Sequence, residues 1–266
     1  MKSLFKGLIL LTCVLGTWIL LSQIDYLTFF QINKAKSTAE KNIGEMIWDQ
    51  VKNTEDIIVN DSVTKTIDKL LKPLCKENGI KRDSLKVHII KKDEVNAFAL
   101  PIGHLVVYSG LIEASKNEQA LLGVLGHEIA HIEKNHVMKK LSKEIGFSVL
   151  MSVTTGNNSG SVIREVMHTL SSSAYDRSLE KEADITSVGY LQKAKIDPAP
   201  FADFLYDMSL DNNLPSALSW INTHPDSEER AKYILEYIKG KKEKTKPILS
   251  QSEWTGLKKA VKNHED

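Results

Sequence analysis

Apolar residues recur at helical spacing through much of the chain. In 33–55 they fall at Ile43, Met46, Ile47 and Val51. In 56–78 they fall at Val63, Ile67, Leu70, Leu71 and Leu74, so two packing helices are predicted, the second stopping at Asn78-Gly79. The period then shortens to two. Leu85, Val87 and Ile89 share one face of a strand over 85–90. Asn96 to Leu100 and His104 to Tyr108 flank Pro101-Ile102-Gly103, which predicts two further strands joined by a tight turn. Helical spacing returns after Ser115, which with Glu118 fits a capping box ahead of Leu121, Leu122, Val124, Leu125, Ile129 and Ile132.

Residues 145–155 are apolar until Gly156-Asn157-Asn158-Ser159-Gly160 interrupts them, too short and polar for a membrane span and better read as a mobile loop. A helix over 176–194 follows. Asp197-Pro198 opens another, with Phe201, Phe204, Leu205 and Met208 inward. Asp226 with Glu229 is expected to cap the next, which turns Ile234, Leu235 and Ile238 inward and ends at Gly240. Lys239 to Lys246 reads as a solvated linker to a short tail helix around Trp254. There is no internal repeat, so a helical-repeat scaffold is not expected.

The first thirty residues break this pattern. Lys2 and Lys6 precede an uncharged run from Gly7 to Ile24, at the short end of the ~17–25 residues that span a bilayer and longer than a usual signal-peptide core. Leu20-Leu21-Ser22 is a poor cleavage site, and Thr12-Cys13 a poor lipoprotein box. An uncleaved anchor with the body outside the cytoplasm is therefore expected; a cleaved signal and a periplasmic product is the alternative. Composition is otherwise that of a globular protein, 42% hydrophobic and 26% charged. A net charge of +1 gives no bulk field for nucleic acid, so none is expected as a partner. Cys13 and Cys75 are the only cysteines, which excludes a disulfide framework or a cysteine zinc site. Any metal must be held by nitrogen and oxygen.

Candidate chemistry lies on the helix after Ser115. His127-Glu128-Ile129-Ala130-His131 puts two imidazoles one turn apart on one helix face, with Glu128 displaced around the helix and free to act as a base. An unpaired histidine pair on so apolar a helix would be costly, which favours a metal. A catalytic zinc takes a third protein ligand. His136 fails the spacing of a three-histidine site, and on a continuing helix it would rotate away as a partly exposed side chain. Glu180 is the better candidate: with Asp184 four residues on, it could ligate while Asp184 orients a histidine. Acidic pairs at that spacing are usually solvated surface, so spacing alone leaves the third ligand open.

Four separated segments together are more specific. They are Val95-Asn96-Ala97-Phe98-Ala99 through Tyr108-Ser109-Gly110-Leu111; His127 to His131; Tyr175-Asp176-Arg177 through Glu180-Lys181-Glu182-Ala183-Asp184; and Thr223-His224-Pro225 with Arg230. In this order, over about residues 60–240, the chain resembles the zinc metallopeptidase family of the CAAX prenyl protease and the HtpX-like proteases, especially its periplasmic single-domain branch. The resemblance implies an α+β, mainly helical gluzincin-type fold with a small sheet beside the active-site helix. It implies one Zn2+ per chain on His127, His131 and Glu180, with Asp184 supporting a histidine ligand and Arg230 positioning the His224 loop. The edge strand, Asn96, Ala97, Phe98 and Ala99, would pair with an extended protein or peptide substrate. Glu128 would be the general base, and His224 would stabilise an oxyanion or occupy the fourth zinc position at rest. Pro101-Ile102-Gly103-His104 stands where the family often has paired glycines, and His104 reads as structural.

The expected organisation is therefore an anchor or signal at 1–30, a zinc metallopeptidase domain at 31–240 and a linker with tail helix at 241–266. The expected activity is zinc-dependent endoproteolysis of unfolded or misassembled envelope proteins. A zinc-containing, chaperone-like assembly factor with gated proteolysis is the alternative.

Overall fold

The computed structural model describes residue 6 and residues 26–153, 159–210, 215–240 and 245–264. The run from Gly7 to Ile24, the interruption at 156–158 and part of the lysine-rich linker lie outside the described residues. No helix among the described residues is long and apolar enough to cross a membrane. The chain divides into a first unit, residues 1–39, and a second, residues 40–266. Helix α1 (Tyr26–Thr54) begins in the first; within the second, its Ile43, Ile47 and Val51 are fully buried, as their spacing predicts.

α2 (Asp61–Asn78) starts later than its apolar pattern implies, because the Asn60 side chain accepts the N–H groups of Ser62 and Val63 and fixes the first turn there. It ends on Gly79 at φ 68. The freed residues before it extend instead: Ile57 bridges Ile90, and the Ile58 N–H donates to Ile89.

β1 (Lys86–Ile90), β2 (Ala97–Ala99) and β3 (His104–Tyr108) form one sheet in the order β1-β3-β2. β2 and β3 are antiparallel, with Ala97 opposite Val107 and Ala99 opposite Leu105; β1 runs parallel to β3, with Lys86 opposite His104. The turn between β2 and β3 carries Ile102 at φ 58 and Gly103 at φ 79. A Cβ on Gly103 would stand 2.0 Å from the Ser84 carbonyl oxygen, so only glycine fits. The β2–β3 bonds run between Asn96 and Tyr108 and between Leu100 and His104. By the alternation of an antiparallel ladder, the peptide groups of Ala97 and Ala99 point to the free edge of β2.

α3 (Ser109–Ala114) separates the sheet from α4 (Glu118–Glu133), the histidine-bearing helix. The expected capping box is absent. Ser115 donates back to Leu111 and ends α3, whereas Asn117 caps α4 by accepting from Ala120. Glu118 accepts the N–H groups of Ile248 and Leu249, tying the tail to the start of α4. α5 (His136–Leu141), a π-helical turn at Ser142–Gly146, α6 (Phe147–Val153) and α7 (Ser159–Ser172) follow.

α8 (Arg177–Lys193) and α9 (Ala199–Leu210) pack on α4, and a Cβ on Gly123 of α4 would stand 2.3 Å from the Phe201 Cβ. α10 (Pro215–Thr223) and α11 (Ser227–Ile238) complete the core. Asp226 does not cap α11. It sits at φ 60, and its carboxylate pairs with Arg177 at 2.8 Å. α12 (Gln251–Lys262) opens on a true capping box, Ser250 with Glu253, and buries Trp254, Leu257 and Val261 against the rest of the unit. The described residues are thus mainly helical with a small sheet, an α+β arrangement.

His104 is structural, as its strand position implies. Its Nδ1 lies 3.1 Å from His88 Nε2 and its Nε2 3.1 Å from Lys86 Nζ, while Trp48 stacks on the His88 ring. Burial, then the neighbouring cations, lowers His104 to about 4; burial, then His104 and Lys86, lowers His88 to about 3. Both stay neutral in the fold while an unfolded histidine protonates near 6.5. Stability is then complete above pH 6.5 and falls as the pH drops toward 4, by on the order of 1 kcal/mol per histidine after allowing for solvent screening. Urea unfolding between pH 7 and 4.5 checks this: replacing both by glutamine should flatten the dependence, and an unchanged slope contradicts it.

Candidate metal centre

Helix α4 places His127 and His131 one turn apart, with their Nε2 atoms 2.9 Å from each other. α8 lies across α4 and brings in Glu180, whose carboxylate oxygens are 3.6 Å from His127 Nε2 and 3.3 Å from His131 Nε2. His224 follows the last residue of α10. Its N–H donates to the Trp220 carbonyl, its ring stacks on Trp220 at 4.1 Å, and its Nδ1 is 2.8 Å from the Thr223 hydroxyl. These contacts turn His224 Nε2 inward. One donor atom each from His127, His131, Glu180 and His224 lies within 4.8 Å of all the others, and all four side chains are buried.

Burial on this scale requires partners. Asp184, one turn after Glu180, stands 2.8 Å from His127 Nδ1 and accepts Arg230 Nε at 2.8 Å, Arg230 Nη2 at 2.7 Å and the Tyr233 hydroxyl. Burial raises the Asp184 carboxyl, but Arg230 and His127 outweigh it and hold the group well below the usual carboxylate range. Arg230 Nη1 also lies 2.7 Å from Glu180 Oε2, off the line of a hydrogen bond. Both Glu180 oxygens are therefore without any hydrogen bond, as is His224 Nε2. Both Glu180 oxygens and His224 Nε2, orphaned beside the Nε2 atoms of His127 and His131, fit a divalent cation such as zinc. Hydrogen bonds within the protein leave those three atoms unsatisfied.

Glu128 lies beside this cluster. Its Oε2 accepts the Ala99 N–H at 3.0 Å, and its Oε1 is 3.1 Å from His224 Nε2. The free edge of β2 thus meets the side chain that follows His127. Burial first, and then the charge of Glu180, raises the Glu128 carboxyl well above its ordinary value. Burial, then the charges of His127 and Arg230, lowers His224 well below its own. Asn96 contributes differently: its amide donates to Ser219 at 2.9 Å and fastens β2 to α10. Phe98 packs edge-on against Tyr108.

Several residues in this site carry no spacing signal. Tyr233 holds Asp184 from a helix remote in sequence, and Trp220 stacks on His224 from one turn before it. Tyr175 stacks on His131 at 4.0 Å, and Lys140 lies over Tyr175 at 4.2 Å while donating to the Ser173 carbonyl. Burial lowers Lys140 to about 8, against the pull of Glu128 and Glu180. His136 differs from expectation outright. It is fully buried, and its Nδ1 is 3.0 Å from His131 Nδ1. The helix does not continue: Asn135 turns at φ 57 and redirects the chain. Asparagine tolerates that conformation better than most residues, and this was the available sign that α4 ends there.

These donors converge on a mainly helical fold, with an edge strand beside them. The sequence profile of Peptidase family M48 matches residues 61–238, and the chain belongs to that family. Mitochondrial metalloendopeptidase OMA1 of Schizosaccharomyces pombe is 26% identical over 178 residues, covering 66% of this chain and 53% of that protein. Metalloendopeptidase OMA1 of Bos taurus is 29% identical over 174 residues, covering 59% and 33%. The beta-barrel assembly-enhancing protease of Escherichia coli K12 is 23% identical over 239 residues, covering 80% and 46%. The chain spans a third to about half the length of these relatives.

Arg230 tests the physical account of the site. Replacing it by methionine leaves Asp184 and Glu180 buried without their cation, which should cost about 3–5 kcal/mol. Lysine keeps the charge but not the fork, and should recover only part. Urea unfolding in the presence of a chelator measures this; a loss below 1 kcal/mol for Arg230→Met would contradict the clamp.

Proposed function

We propose that the chain is a zinc-dependent metalloendopeptidase in which His127, His131 and Glu180 hold one Zn2+ and Glu128 is the general base. The observation that carries this reading is the convergence of four buried donor atoms beside a carboxylate that also receives the edge-strand N–H of Ala99. A zinc ion held by such a donor set would supply Lewis acidity toward a peptide carbonyl and would lower the pKa of a water toward about 7. Glu128, with its pKa raised by burial, takes up the proton released in the attack and delivers it to the departing amine. His224 Nε2, aimed inward by Thr223 and Trp220, stabilises the developing oxyanion. Asp184 keeps the proton of His127 on Nδ1, so that Nε2 faces the ion.

The substrate is an extended polypeptide that adds to the free edge of β2 through the peptide groups of Ala97 and Ala99. Such recognition reads main chain and favours unfolded or misassembled proteins of the cell envelope. The uncharged run after Lys6 anchors the chain with its catalytic unit outside the cytoplasm.

A second reading has its own support. His127, Glu128, His131, Glu180, His224 and the β2 residues are all at most 3% exposed, and His224 Nε2 faces Glu128 rather than solvent. A peptide must open this arrangement to enter. That favours an assembly factor whose proteolysis is gated, with His224 as the fourth zinc donor at rest.

One pair of variants separates these readings. Glu128→Gln should retain zinc and lose about 10²–10⁴-fold in cleavage of an unfolded protein; undiminished hydrolysis refutes the mechanism. His224→Ala should also lower cleavage if the histidine stabilises the oxyanion, and raise it if the histidine closes the site. Intact-mass measurement of the mature protein should find the residues from Met1 to Ile24 still present; their loss would replace the anchor by a cleaved signal.

A further inference from the structure

His136 is buried against the metal centre but has no part in the mechanism above. α4 ends at Glu133, and the Lys134 N–H closes on the Ala130 carbonyl. Asn135 takes the left-handed conformation and α5 begins at His136, so a residue five positions after His131 folds back onto its ring. The two Nδ1 atoms are 3.0 Å apart, and His136 Nε2 is 3.3 Å from Glu182 Oε2. Glu182 in turn lies 3.4 Å from Lys134 Nζ and is half exposed, whereas His136 has no solvent exposure.

A neutral imidazole carries one proton, so the three groups constrain each other. A carboxylate only accepts, so Glu182 draws the His136 proton to Nε2. His136 Nδ1 is then bare and accepts from His131, which requires the His131 proton on its own Nδ1. His131 Nε2, 2.9 Å from His127 Nε2, is left bare for a cation. We propose that His136 and Glu182 are positioning residues: a carboxylate–imidazole relay that sets the tautomer and ring orientation of His131. The proposal rests on the zinc reading given above.

The two histidines of the metal helix are thus oriented by different devices. His127 meets Asp184 directly, and that carboxylate is locked in a fully buried network by Arg230 and Tyr233. His131 reaches its carboxylate through a second ring, and the outer end lies at the surface among solvent and Lys134. The first arm is rigid and the second is open to adjustment. Loss of Glu182 should therefore disturb the site less than loss of His136.

The test uses the full chain and three variants. His136→Leu fills the space without an acceptor. His136→Asn retains an oxygen that can accept from His131 Nδ1–H, and Glu182→Ala removes the outer end. Zinc affinity, from competition with a chromophoric chelator, should fall about 10–100-fold for His136→Leu, recover largely in His136→Asn and fall less in Glu182→Ala. Imidazole nitrogen NMR of the metal-free protein reads the tautomer without zinc. It should show His131 protonated on Nδ1 in the parent and the asparagine variant, and a shift toward Nε2 in the leucine variant. If His136→Leu keeps both the parent's affinity and the Nδ1 proton, His136 only fills space and the relay is overturned. A parent chain that takes up no zinc would refute the functional reading instead, and the tautomer measurement would still decide the relay.

Discussion

A single buried guanidinium meets two carboxylates at the centre of this molecule. Arg230 presents Nε and Nη2 to Asp184 and Nη1 to Glu180, and Asp184 stands 2.8 Å from His127 Nδ1. Each partner would be costly alone in so dry a place. Together they lock α4, α8 and α11 in one relative position, and everything in the site depends on that. Neither Glu180 oxygen has a hydrogen bond: Arg230 meets Oε2 by charge alone, and that same oxygen lies 3.6 Å from His127 Nε2. A cation is the complement of such a site.

The sheet supplies the second constraint. β2 is three residues long and lies at the sheet edge. Its alternation turns the Ala99 N–H away from β3 and onto Glu128, so the groups that would pair with a peptide and the base that would act on it share one line. The tight turn at Ile102-Gly103 and the Asn96 tie to α10 set that line from both ends. α10 also carries Trp220 and Thr223, so the same tie that places the strand places His224. Strand edge, Glu128 and His224 are therefore held in one set of direct contacts.

Membership of Peptidase family M48 agrees with this arrangement, and the match over residues 61–238 covers every side chain of the metal cluster. The tail lies beyond it, yet Glu118, at the start of the metal-bearing helix, holds the backbone of Ile248 and Leu249. α12 is accordingly part of the packed unit and braces α4 from its N-terminal end.

Local rules identified much of this fold from the residues alone. Helical periodicity marked α2, α4 and α9 and alternation marked β1, whereas β2 and β3, buried throughout, were marked by the turn between them. The pentapeptide at His127 pointed to a pair of histidines on one face because helix geometry is invariant: residues four apart must share a face. Glu180 and Asp184 could be nominated by the same rule, but an isolated acidic pair on a helix is usually solvated, and only packing of α8 onto α4 buries it beside the two histidines. Caps were less legible. Ser115, Glu118 and Asp226 satisfy a sequence pattern for capping, yet each is claimed by a different partner in space, since a side-chain oxygen goes to whichever donor the fold brings nearest. His136 shows the limit most clearly. On an unbroken helix it points away; one left-handed residue reverses it. Spacing within an element is fixed by backbone geometry and can be read from sequence. The directions in which elements meet depend on long-range packing, and only the tertiary structure decides them.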